Sequence, residues 1–177
     1  GADYVTFKVG QKVVYPNHGV TVVEEIAPSR IDGTERTCYH LRLLSGNSKV
    51  MVPKDNLDLV GLRPLCEAKE IRTLFGILEN GSVEAQKDWK GRYKQNVEKM
   101  KTGRITEVAE VLKNLRFVSQ RKSLSFREKK MYERAKSFIV SEVAHVKGMT
   151  ERDAEQQVER ALTSSIERKK KGDLLAS

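Results

Sequence analysis

Few residues in this chain of 177 could make or break bonds, and they are poorly placed to do so. The three histidines, His18, His40 and His145, fall by local pattern in a turn, a strand and a helix. None has a cysteine or carboxylate at metal-ligand spacing, so structural or surface roles are expected. Two cysteines, Cys38 and Cys66, are too few for a four-ligand zinc site or a disulfide framework, and isolated thiols suit a reducing, cytoplasmic setting. No Gly-x-x-x-x-Gly-Lys loop or Gly-x-Gly-x-x-Gly turn is present to cradle a phosphate. The chain therefore reads as a non-enzyme with no cofactor, no metal and no small-molecule substrate.

Binding chemistry is better represented. The formal net charge of +9 favours nucleic acid, an anionic membrane surface or an acidic protein as partner. No apolar run approaches the roughly 20 residues that cross a bilayer. Residues 1–66 hold 8 Lys and Arg against 7 Asp and Glu; from the totals of 33 and 24, the remainder holds 25 against 17, an excess of 8. Two blocks concentrate that excess. Glu84 to Arg104 contains seven basic and three acidic residues, and Arg121 to Lys136 contains seven basic and two acidic ones. Lys87, Lys90, Lys94 and Lys101 step by three, four and seven, which puts them on one side of a helix. Lys129 and Lys130 fall in the first turn or so of another helix, where cations oppose the helix dipole unless an external anion compensates. The only tryptophan, Trp89, lies between Asp88 and Lys90 and four positions from Tyr93. On pattern alone it fits a core position and a nucleobase-stacking surface about equally well.

Two different grammars position these residues. Residues 4–64 carry short β-branched or aromatic runs, Val13–Tyr15, Val20–Ile26, Tyr39–Leu44 and Lys49–Val52. Turn chemistry at Gly10, Pro16–Gly19, Asp32-Gly33 and Ser45–Asn47 separates them. Five short strands predict a small antiparallel β-barrel of the Tudor or SH3 kind. Residues 65–170 change to helical period. Ile71, Leu74, Phe75 and Leu78 mark one helix; a second runs from Ser82 or Val83 to Thr102; a third bears Ile105, Val108, Val111, Leu112 and Leu115. Ser125 with Glu128 forms a capping box for a fourth, and Thr150 with Asp153 caps a fifth. An α+β protein of two domains follows, with a bundle of about five helices second and a frayed tail at 171–177.

The motifs then converge on one family. The opening FKVGQKVVYPNHGV with its Gly10, Tyr15-Pro16 and His18-Gly19, the stretch SKVMVP, the VGLRPL that follows, and the W-x-x-R-Y-x-x-N of Trp89, Arg92, Tyr93 and Asn96 resemble the CarD and CdnL family of bacterial transcription regulators. The resemblance implies a barrel that binds the β subunit of RNA polymerase, near the lobe and protrusion, by pairing an edge strand. That strand here is Lys49-Val50-Met51-Val52-Pro53, with Leu41 contributing from the strand before it. Some relatives carry arginine at the Met51 position and near Ser29, so this interface is expected to be more apolar, with Arg30 compensating from one position on. The resemblance further implies a helical domain set against the upstream fork of the transcription bubble, with Trp89 wedged into the splayed minor groove. Arg92, Lys94 and Lys129 match DNA-facing positions, and Lys90, Tyr93 and Lys130 complete the expected set. Gly91 replaces a basic residue of some relatives, so one phosphate contact is expected to be weaker or moved to Lys90. The expected protein is a monomer, cytoplasmic and nucleoid-associated through polymerase, that stabilises open promoters without reading bases. A free-standing, non-specific nucleic-acid binder or chromosome-associated scaffold is the alternative that net charge alone supports.

Overall fold

The computed structural model describes residues 6–82 and 89–176, together with the backbone but not the side chain of Trp89. The expected start of the second helix near Val83, and the positions of Lys87 and Asp88, lie outside the described residues. The chain divides into two compact units, Gly1–Leu65 and Cys66–Ser177.

In the first unit the expected Tudor-like fold takes the form of a five-stranded antiparallel sheet that does not close into a barrel. The strands are β1 (Lys12–Tyr15), β2 (Gly19–Ile31), β3 (Thr34–Leu43), β4 (Lys49–Pro53) and β5 (Arg63–Pro64), in the order β4-β3-β2-β1-β5. β5 is only two residues long and ends on proline, too short to bridge across to β4. β2 and β3 are longer than their apolar runs suggested. Their ladder continues to Ile31 opposite Thr34 because Asp32 and Gly33 both take positive φ, 52° and 78°, as a two-residue hairpin turn matched to strand twist requires. An irregularity between Val23 and Glu25 shifts the register midway.

Alternation along these strands delivers Val13, Val23, Tyr39, Leu41 and Val52 to one core, which Phe7, Leu57 and Leu62 complete. Leu57 comes from the single-turn helix α1 (Leu57–Val60). The Phe7 and Tyr39 rings meet edge-on at 5.7 Å, and the Phe7 N–H donates to the Tyr39 hydroxyl at 3.1 Å. Each fully buried aliphatic side chain contributes about 1.5–3 kcal/mol, so this small core is built from few large terms.

In the second unit, α2 (Ala68–Glu79), α3 (Trp89–Thr102), α4 (Ile105–Ser119), α5 (Phe126–Lys147) and α6 (Glu151–Ala176) form the helical bundle. α4 packs against each of the other four. Its Ile105, Val108, Val111, Leu112 and Leu115 are buried, as are Met131, Ala135, Phe138, Ile139 and Val143 of α5 and Ala154, Val158, Ala161 and Leu162 of α6. Those stripes follow the sequence periodicity closely. The caps do too: Ser125 Oγ accepts from the Glu128 N–H at 3.2 Å, and Thr150 Oγ1 from the Asp153 N–H at 3.1 Å. Gly148, at φ 67°, closes α5 in the left-handed conformation, with its N–H directed to Ala144.

The tail read as frayed is helical to Ala176. Ser165 Oγ bonds the Asn80 carbonyl, and a Cβ on Gly81 would meet the Lys169 backbone nitrogen at 3.0 Å, so α6 lies against the end of α2 as far as Lys169, while 171–176 are exposed. A polar network joins α4, α5 and α6. Arg116 donates to Tyr132 and to Glu159, each at 2.9 Å, and Lys136 pairs with Glu155 at 2.9 Å and Glu159 at 3.2 Å. Burial alone would push the Glu159 carboxyl upward, but Arg116 and Lys136 outweigh it and hold its pKa below the ordinary value.

α3 is joined differently. Among its described side chains Arg92, Asn96 and Met100 are buried, one per turn, and two of the three are polar. Arg92 directs Nε and Nη2 to the two carboxylate oxygens of Glu128 at 2.9 and 3.2 Å, with the side chains only 4% and 2% exposed. Asn96 donates to Asn114 of α4 at 3.1 Å, and Lys99 pairs with Glu110 of α4 at 2.7 Å. Glu128→Ala would strand the guanidinium in the interior, and the expected loss is about 3–5 kcal/mol. Urea unfolding followed by helical circular dichroism measures this. A loss below about 1 kcal/mol would show that Arg92 reaches solvent without its partner.

Candidate functional site

The forked ion pair does more than hold a helix. Arg92 of α3 meets Glu128 in the first turn of α5, so their contact joins the Trp89–Thr102 segment to the start of α5. The two basic blocks of the sequence flank this contact, and the fold brings them together. Lys90 and Lys94 of α3 are exposed, as are Arg127, Lys129 and Lys130 of α5 and, just before it, Arg121 and Lys122. The Arg127 guanidinium lies 6.0 Å from the centre of the Tyr93 ring, which ties the two sets across the helix pair. The Lys130 ammonium stands 4.5 Å from the centre of the Phe126 ring, and that ring is 71% exposed.

One expected DNA-facing residue is displaced by this arrangement. Arg92, read as part of the outward basic surface, is buried on Glu128 and offers no guanidinium to an external phosphate. It shares the buried face of α3 with Asn96 and Met100, and a carboxylate two helices away in sequence receives its charge there. Lys90, Tyr93, Lys94, Lys129 and Lys130 lie at or near the surface around it, and Trp89 is described in its backbone alone. Phe126 and Arg127 were not singled out in the sequence. The signal was there: Phe126 lies roughly 120–140° around the helix from the Met131 and Phe138 stripe, a position facing away from the core.

The first unit presents a second surface. β4 pairs with β3 on one side, Met51 opposite His40 and Val50 opposite Leu41, and forms the sheet edge on the other. Met51 is 47% exposed, Lys49 is exposed, and Val50 and Pro53 are half-buried. Lys49 lies 3.7 Å from Glu24, which also pairs with Arg42. Leu41, expected to contribute to this surface, is 1% exposed and sealed in the core, where it supports β4 from beneath. Arg30 is exposed but sits beside the hairpin tip, opposite Glu35, about five residues or roughly 16 Å along β2 from the level of Met51. It is too far along the strand to stand in directly at that level. Ser29 instead approaches His40, at 3.4 Å, on the strand next to Met51.

A cavity of about 220 Å³ lies between α2, α3 and α4, lined by Asn80, Asn96, Lys99, Glu110, Lys113 and Asn114 among others. Burial lowers the pKa of the Lys113 amine, which donates to Asn80 at 2.8 Å. The polar groups here bond one another and tie helices together. Among the described residues no cluster of His, Cys, Asp or Glu could hold a metal, and no helix is long and apolar enough to cross a membrane.

Comparison with known proteins covers both units. Residues 7–66 match the CarD-like/TRCF RID domain, and residues 73–159 match the CarD C-terminal domain. A Bacillus subtilis (strain 168) protein named "Putative transcription factor YdeB" is 34% identical over 146 residues, covering 82% of this chain and 95% of its own. With both domains present in order and similarity along most of its length, the chain belongs to the CarD-like family of transcription regulators.

Proposed function

We propose that this protein tethers itself to RNA polymerase through the β4 edge and uses the surface where α3 meets the start of α5 to stabilise the open promoter complex. The observation that carries the reading is the Arg92–Glu128 pair, which turns two separate basic stretches into one cationic surface beside Trp89 and Tyr93. The family's N-terminal module is one associated with RNA polymerase interaction, and an open antiparallel edge is suited to accept a strand from a partner. Main-chain hydrogen bonds along β4 would supply affinity there. Met51 would add an adaptable apolar contact with the polymerase β subunit, flanked by Lys49, Val50 and Pro53.

At the promoter, Trp89 is the wedge. An apolar ring inserted in the minor groove separates base steps while nearby cations hold the phosphates. Lys90, Lys94, Lys129 and Lys130 are the phosphate-binding set in this reading, with Tyr93 and Arg127 between them. The wedge fits a splayed fork better than closed duplex, and the open-to-closed ratio shifts by that difference in affinity and no more. A difference of about 1.4 kcal/mol is tenfold. The cations contact the backbone, which carries no sequence, so response follows promoter melting rather than a binding site.

Three measurements test this. Trp89→Ala is expected to shorten open-complex lifetime on a responsive promoter about tenfold; an unchanged lifetime would remove the wedge. Met51→Glu, at an exposed position that spares the core, is expected to reduce recovery of the β subunit in a pull-down, and unimpaired recovery would place the tether elsewhere. A gel shift without polymerase is expected to show weak, salt-sensitive binding to duplex DNA. Tight binding there would favour a free-standing nucleic-acid binder.

A further inference from the structure

We infer that Phe126 is a second nucleotide-contacting ring, which stacks on an unpaired base or its sugar beside the position that Trp89 occupies at the fork. The inference rests on the reading above and adds a contact that neither the motifs nor the family matches identify. Phe126 is the first residue of α5, 71% exposed, whereas Phe138 of the same helix is 2% exposed in the core. The Ser125 cap and the buried Glu128 fix the turn that carries it, so the ring is presented from a rigid base. A solvated phenylalanine alone would be ordinary. This one has Lys130 at 4.5 Å from its ring centre and exposed Arg127 and Lys129 in the same turn, and Arg127 in turn reaches Tyr93 of α3.

A ring backed by cations suits nucleic acid. Cations track the phosphates while the ring takes a base or sugar face, as single-strand binding surfaces do. In closed duplex the base faces are covered by their neighbours, so the ring gains nothing there. At a fork an unstacked nucleotide offers a free face. Phe126 therefore adds to the preference for melted DNA, whereas Lys129 adds salt-dependent attraction to either state.

The test compares full-length wild type with Phe126→Ala, Phe126→Leu, Phe126→Trp and Trp89→Ala. Open-complex lifetime with polymerase is read at several salt concentrations, with thermal stability and polymerase pull-down measured alongside. Phe126→Ala is expected to shorten the lifetime about fivefold, near the lower end of what base stacking on an aromatic ring contributes. Phe126→Trp should retain wild-type lifetime, Phe126→Leu should stay short, and the salt slope should not change. A normal lifetime for Phe126→Ala beside a shortened one for Trp89→Ala overturns the second ring and leaves the wedge standing. Normal lifetimes for both overturn the underlying reading as well. Recovery with leucine equal to that with tryptophan, lost polymerase binding or a lowered melting temperature for Phe126→Ala would also overturn the inference, because the effect would then arise from bulk, tether or fold.

Discussion

A guanidinium and a carboxylate removed from water lose several kcal/mol of hydration each, and only close, well-directed pairing offsets that loss. Arg92 and Glu128 meet this condition through two parallel hydrogen bonds with both side chains almost fully covered. The bidentate geometry fixes orientation as well as distance, which a single contact or an apolar patch would not do. The other described buried side chains of α3, Asn96 and Met100, engage further along the helix, and its outer face is charged. The basic surface and the Tyr93–Arg127 contact both depend on this one pair.

The same pair explains why part of the site was legible in the sequence and part was not. Apolar stripes report burial directly, so α4, α5 and α6 could be located from Val108, Leu112, Ala135, Ile139, Val158 and Leu162 before any coordinates. Caps are local chemistry, and Ser125 and Thr150 announced their helices. A buried arginine leaves no such trace. In sequence Arg92 looks like its neighbours Lys90 and Lys94, and only the long-range partner Glu128 separates a structural cation from surface ones. Phe126 was missed for the complementary reason: an exposed ring is read as a stray when no periodic partner claims it.

In the first unit the sheet departed from expectation at its ends rather than its centre. The Asp32-Gly33 turn carried β2 and β3 beyond their apolar stretches, since a well-formed two-residue turn sustains a ladder through polar residues such as Ser29, Arg30 and Glu35. Leu41 illustrates the limit of period-two reading. Alternation assigns Leu41 and Met51 to opposite faces, and register then decides which face is core: Val50 pairs with Leu41 inward, and Met51 with His40 outward. A one-residue slip would exchange them.

The exposed side of β4 carries its own restraint. Lys49 begins the strand and Pro53 ends it, so a charge stands at one end and a residue without an N–H at the other. Between them only three residues offer a regular backbone to a newcomer. Such a short, guarded seam can accept one matching segment yet gives stacked copies of the protein too little length to grow into a fibre. The same five residues thus leave a backbone edge open and keep copies of the protein from stacking along it.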